Sequence, residues 1–180
     1  MISLLLVQRG LGFPSFERIN VLGEYKDGLW SKPILEAKER FLLLLPERQR
    51  IMESPLGLSL RYYYLAVRAS KRLLEEAIIH LMIAAEALLI TRNENIREPL
   101  SRRLSVLIAK NEEERAEISK KMRGLYDLRC DIVHGRGGKP SWIDARVLFD
   151  YVRRAIEQGI SFRYLSKQGL VEKLDMESSE

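Results

Sequence analysis

The sequence predicts an all-α protein, an antiparallel helical bundle with a small N-terminal extension of mixed or irregular structure. From Leu58 to about Gln168 apolar residues recur at three and four, the period of a helix with one buried face. Glycines, prolines and capping residues fall between these stretches, so the connections are short and neighbouring helices antiparallel. The 180 residues suit one domain, and 46% hydrophobic with 31% charged residues excludes wholesale disorder and low-complexity repeats. The reading divides the chain into residues 1–55, an extension packed on the bundle, 56–168, the helical domain, and 169–180, a C-terminal tail.

In the extension, apolar runs are short and broken by Gly10, Gly12, Pro14, Gly23, Gly28, Pro33 and Pro46. Ser3 to Gln8 and Arg18 to Tyr25 read as short strands, and Ile34 to Leu45 as a helix stopped by Pro46. From Leu60 to Ile90 one stripe carries Leu65, Leu73, Leu74, Ile78, Leu81, Met82, Ala85, Leu88 and Leu89 without an intervening Gly or Pro. It reads as a single rod of roughly 45 Å. A second helix starts near Pro99 and carries Leu100, Leu104, Leu107 and Ile108. Asn111 with Glu114 is a capping box opening a third, with Ile118, Met122, Leu125 and Ile132 or Val133 as its stripe and Gly135, Gly137 and Gly138 at its end. Ser141 with Asp144 repeats the capping pattern before Ile143, Val147, Leu148, Tyr151, Val152 and Ile156, and Gly159 marks a weak point or an end.

Several function classes are excluded. One cysteine, Cys130, allows neither an intrachain disulfide nor a thiolate-built structural zinc site. Two histidines leave little for histidine-based metal or triad chemistry. The apolar run Ile2 to Val7 is too short for a signal-peptide core, and Ala77 to Ile90 falls short of the ~20 residues a membrane span requires. A soluble, cytoplasmic protein without cofactor or membrane partner is the expectation. The net charge of +5 and pI near 9.4 permit a polyanionic partner without demanding one.

The informative segment is Leu125-Tyr126-Asp127-Leu128-Arg129-Cys130-Asp131-Ile132-Val133-His134-Gly135, followed by Arg136-Gly137-Gly138-Lys139. Arg129, four intervening residues and His134 close a predicted helix at a glycine-rich basic turn. Upstream, Leu60-Arg61-Tyr62-Tyr63 and Ile83-Ala84-Ala85-Glu86-Ala87-Leu88-Leu89 set an acidic residue in an apolar helix. The arginine–histidine spacing resembles the R-x(4–6)-H motif of the HEPN superfamily (higher eukaryotes and prokaryotes nucleotide-binding domain), and the local form looks most like its Apea-like branch. The resemblance covers about Leu58 to Ile160. It implies a HEPN-like bundle that pairs with a second copy, bringing two Arg–His sets to one cleft. It also implies a metal-independent endoribonuclease acting on single-stranded RNA in a defence, stress or toxin–antitoxin setting, with an antitoxin or other protein as a further partner.

These residue types suit that reaction. RNA carries its own nucleophile, the 2′-hydroxyl, and an imidazole can take or give a proton near neutral pH. A guanidinium can hold the non-bridging phosphate oxygens. On an ideal helix, five steps of about 100° set Arg129 and His134 roughly 140° apart, so a helix end is needed to redirect the histidine. Arg129 and His134 are thus the catalytic candidates, Glu86 and Asp131 the supporting ones, and Arg136, Lys139 and Arg123 those for RNA binding.

Plainer readings stand beside these. Arg129 and His134 can serve the helix dipole and its free carbonyls. Glu86 can pair with an arginine of another helix, and between orienting Arg129 and reacting, orienting is the better fit. His80 reads as a core or interface residue, Tyr62, Tyr63 and Tyr64 as packing residues, and Lys120 and Lys121 as part of a solvated face. Nuclease members usually carry a polar residue after the arginine, whereas here it is Cys130. The alternative function is a non-catalytic HEPN module that binds RNA or a nucleotide, or that mediates dimerisation and partner docking.

Overall fold

The computed structural model describes residues 54–91, 95–162 and 166–178. The strands and helix expected in the N-terminal extension lie outside the described residues. The described residues are helical and hold no strand: α1 (Pro55–Ala69), α2 (Leu74–Leu89), α3 (Arg97–Ile108), α4 (Glu112–Val133), α5 (Trp142–Ser161) and α6 (Lys167–Glu177). None of these helices is long and apolar enough to cross a membrane.

The single rod expected over Leu60 to Ile90 is instead a hairpin. Ser54 opens α1 by accepting from Gly57 N at 3.3 Å, and Pro55 stands at a position where a missing N–H costs nothing. At the other end the Ser70 hydroxyl donates to Val67 O at 3.0 Å, a local bond that competes with helix continuation. Lys71, Arg72 and Leu73 then turn in solvent, and Leu73 is half exposed rather than part of the core stripe. A straight rod would leave its apolar stripe for other helices to cover. Folding back lets α1 and α2 cover one another.

Helix α2 is the centre of the bundle and touches each of the other five helices. Its sequence explains this, because Ala77, Ile78, Leu81, Met82, Ala84, Ala85, Leu88 and Leu89 are buried around most of its circumference. A fully buried Leu or Ile contributes about 1.5–3 kcal/mol, so this one helix supplies a large part of the driving force. Leu100, Leu104, Leu107 and Ile108 of α3 are buried as the periodicity predicts, as are Ile118, Met122 and Leu125 of α4.

The caps hold with one variation. Asn111 Oδ1 accepts from Glu114 N at 2.8 Å, but the Glu114 carboxylate returns to Lys110 N at 2.8 Å rather than to Asn111. Ser141 and Asp144 form the full reciprocal box. In α5, Leu148, Val152 and Ile156 are buried, but Ile143 is 70% exposed, against its expected place in the core stripe; it lies in the first turn, before the helix reaches its neighbours. Gly159 does not end α5, which continues to Ser161. A Cβ there would stand 3.4 Å from Leu56 Cδ1 and 3.8 Å from Leu88 Cδ2, so this glycine marks close packing of α5 on α1 and α2.

Most of the segment read as a tail is helix α6, with Leu170, Val171 and Leu174 buried. Its clasp is Arg103, only 4% exposed. Arg103 Nε and Nη2 donate to the two Asp175 carboxylate oxygens at 2.9 and 2.8 Å, and Nη1 donates to Leu89 O at 2.8 Å. One side chain thus satisfies a free carbonyl at the end of α2 and joins α3 to α6.

Candidate functional site

The motif segment forms the last two turns of α4 and the turn after it. Gly135 adopts a left-handed backbone, φ +65°, which a side chain would disfavour. Its N–H donates to Ile132 O at 3.2 Å, and Arg136 N donates to Asp131 O at 2.8 Å. This paired closure, the Schellman motif, ends the helix and makes His134 its C-cap. The imidazole therefore leaves from a non-helical residue (φ −92°, ψ 7°) and is exposed.

The turn then lies back on the helix it left. A Cβ at Gly138 would stand 2.9 Å from Asp131 Cβ, 3.0 Å from Ile132 N and 3.1 Å from Leu128 O. Only glycine lets the chain come so near. Arg136 and Lys139 are carried on this turn, exposed and without an ion pair among the described residues. Asp131 is half-buried, and its side chain makes no hydrogen bond among the described residues. Arg123 faces elsewhere and pairs with Glu98 at 3.2 Å.

Arg129 belongs to a different environment from His134. It is half-buried, its Nε is buried without an acceptor, and its guanidinium carbon lies 5.9 Å from the centre of the Tyr126 ring. On α2, Glu86 Oε1 is likewise buried without a donor. Burial pushes the Glu86 carboxyl up, and the charges of Arg129 and then Lys167 pull it partly back. Lys167, the first residue of α6, donates from Nζ to Glu86 O at 3.2 Å. Burial, then Cys130 and Glu86, push the Tyr126 hydroxyl up, while Arg129 opposes them. Glu86, Tyr126, Arg129, Cys130 and Lys167 thus form one electrostatic cluster contributed by α2, α4 and α6.

Within one copy, no hydrogen bond, ion pair or ring contact joins Arg129 to His134 among the described residues. The chain brings Arg129 together with Glu86, and it holds His134 apart in solvent at the same helix end. His80 stacks obliquely on Tyr62 at 6.0 Å with its Nδ1 buried and unpartnered, and Tyr63 packs edge-on against Phe149 at 5.6 Å. Both are packing arrangements. Sequence reasoning missed Tyr126 and Lys167. Tyr126 carried a usable signal, since it precedes Arg129 by three residues on one helical face. Lys167 carried none, because only the docking of α6 brings it to α2.

A shallow groove of about 420 Å³ runs along another face of α4, lined by Lys120, Lys121, Gly124, Leu128 and Asp144 among others. Neither Arg129 nor His134 lines it. No group of three or more His, Cys, Asp or Glu side chains among the described residues is arranged to hold a metal ion. Comparison with known protein families, with curated proteins and with solved structures finds no match to the chain.

Proposed function

We propose that the chain is a metal-independent endoribonuclease of HEPN type that acts as a homodimer on single-stranded RNA. One observation carries this reading. Arg129 has unused hydrogen-bonding capacity beside Glu86, and the same helix end leaves an imidazole bare to solvent five residues on. Buried polar groups normally find partners, so an orphaned one calls for an explanation, and a ligand that completes the pair is the one taken for Arg129 and Glu86.

In this reading two copies each supply an Arg129 and a His134 to one cleft. One His134 removes the proton from the 2′-hydroxyl as its oxygen attacks the adjacent phosphorus. The bond to the 5′-oxygen breaks, and that oxygen takes a proton from the second imidazole. Arg129 holds the non-bridging oxygens, and Glu86 keeps its guanidinium from drifting into bulk solvent. The products are a 2′,3′-cyclic phosphate and a 5′-hydroxyl, and DNA is inert because it lacks the nucleophile. A cytoplasmic defence, stress or toxin–antitoxin role, with an antitoxin or other protein partner, belongs to the same proposal.

The test is incubation with labelled single-stranded RNA in EDTA. Cleavage that persists in EDTA and falls about 10²- to 10⁴-fold in His134→Ala is the expected result. Arg129→Ala should abolish cleavage as well. Half-burial of Arg129 and the thiol of Cys130 in the position after it favour the second reading, a module that binds RNA or a nucleotide, or that dimerises and docks a partner. Binding without cleavage by the wild-type protein would select it.

A further inference from the structure

Trp142 is the first residue of α5, and 64% of its surface is open to solvent. An indole so exposed forgoes most of the stabilisation that burial gives an aromatic ring. The charges around it are also unspent. Arg136 and Lys139 precede it on the exposed turn, and Arg146 is exposed one helical turn beyond it. None of these cations is ion-paired among the described residues, whereas Arg97, Arg102 and Arg103 of α3 and Arg153 and Arg154 of α5 all are. Three residues hold the Cα of Lys139 within about 10 Å of that of Trp142 on one side. Arg146 is about 6 Å along the helix on the other.

We propose that Trp142 is a base-stacking platform for single-stranded RNA, with Arg136, Lys139 and Arg146 contacting the phosphates that flank the stacked base. This rests on the reading of the chain as RNA-directed and adds how the strand is held beside His134. An aromatic face accepts any unpaired base, and a duplex, whose bases already stack, cannot offer one. Ile143, the next residue, is exposed as well, which would also suit a protein surface. Of the groups around the ring only Lys139 argues against that, since lysine is depleted at the centres of protein interfaces while arginine and tryptophan are enriched there. The case for RNA is that three unpaired cations complement a phosphate backbone.

The experiment measures affinity on strands that cannot be cleaved, with oligomeric mass followed alongside. Full-length wild type, Trp142→Ala, Trp142→Phe and Arg146→Ala are titrated with a labelled 12-nucleotide 2′-O-methyl oligo(A), which lacks the 2′-nucleophile. A 2′-O-methyl abasic strand of equal length serves as the comparison. Trp142→Ala should bind the oligo(A) roughly 5- to 150-fold more weakly, Trp142→Phe should keep most of the affinity, and neither should change binding of the abasic strand. Arg146→Ala should weaken both strands and lower the salt slope by about 0.7. Equal losses on both strands, no loss in Trp142→Ala, or no binding by wild type overturns the platform. So does a fall in oligomeric mass by light scattering in Trp142→Ala, which would assign the ring to a contact between copies. If these affinities behave as stated while unmodified RNA stays uncleaved, the nuclease reading fails and the platform stands.

Discussion

Two carboxylates, each facing two cations, are treated in opposite ways. Asp175 on α6 receives Arg103 through both oxygens and Arg102 through one, and these donors hold its carboxyl below the usual range. Glu86 on α2 has Arg129 and Lys167 within electrostatic reach, yet one of its oxygens is buried without a donor and its carboxyl is pushed up. The difference is hydrogen bonding against desolvation, not the number of charges. A clasp built for stability uses every donor it has. The cluster at the end of α4 leaves donors and acceptors open, which suits a place where a ligand completes the set.

The comparison breaks most visibly at Arg103. Arg103→Ala leaves Asp175 short of its main partner and Leu89 O without its donor, and should cost about 3 kcal/mol in urea denaturation. If stability were unchanged, the clasp would not be what holds α6. Next in size is the turn of the motif. Gly138→Ala drives a Cβ against backbone of α4 and should destabilise by roughly 1–3 kcal/mol. Gly124→Ala, on the same helix with nothing within 4 Å, should instead stabilise by about 0.5–1 kcal/mol. Opposite signs from a glycine packed against α4 and a glycine within it would separate close approach from intrinsic helix propensity.

The smallest effect is the most diagnostic. Asp175 has a lowered folded pKa, so its contribution is present above the ordinary carboxylate range and is lost as pH falls through the lowered value. Glu86 has a raised folded pKa, so its contribution is present below that range and is lost as pH rises through the raised value. Stability measured from pH 3 to 8 should therefore lose its acid-side decline in part in Asp175→Asn. Glu86→Gln should flatten the decline on the neutral side. The same direction in both variants would show that Glu86 is paired as Asp175 is.

Much of the bundle was legible in the chain. Period and capping residues marked α3, α4 and α5, and the glycines after His134 announced the turn that exposes it. The break at Ser70 was not legible, because no Gly or Pro marks it and a serine–lysine–arginine run is equally at home on a helix surface. Helix α6 was missed because its apolar residues are few and it acquires a buried face only against α2 and α3. Glu86 stood out as a charge in an apolar helix, but its second cation, Lys167, arrives from 81 residues away.

The sequence by itself determined that Leu58 to about Gln168 is helical and where α3, α4 and α5 begin, since caps, turns and apolar period act over a few residues. The tertiary structure alone decided which cations are saturated and which remain open. Whether Arg103 locks onto Asp175 while Arg129 keeps an unpartnered nitrogen depends on what other helices bring within 3 Å, and the charge of a side chain carries no record of that.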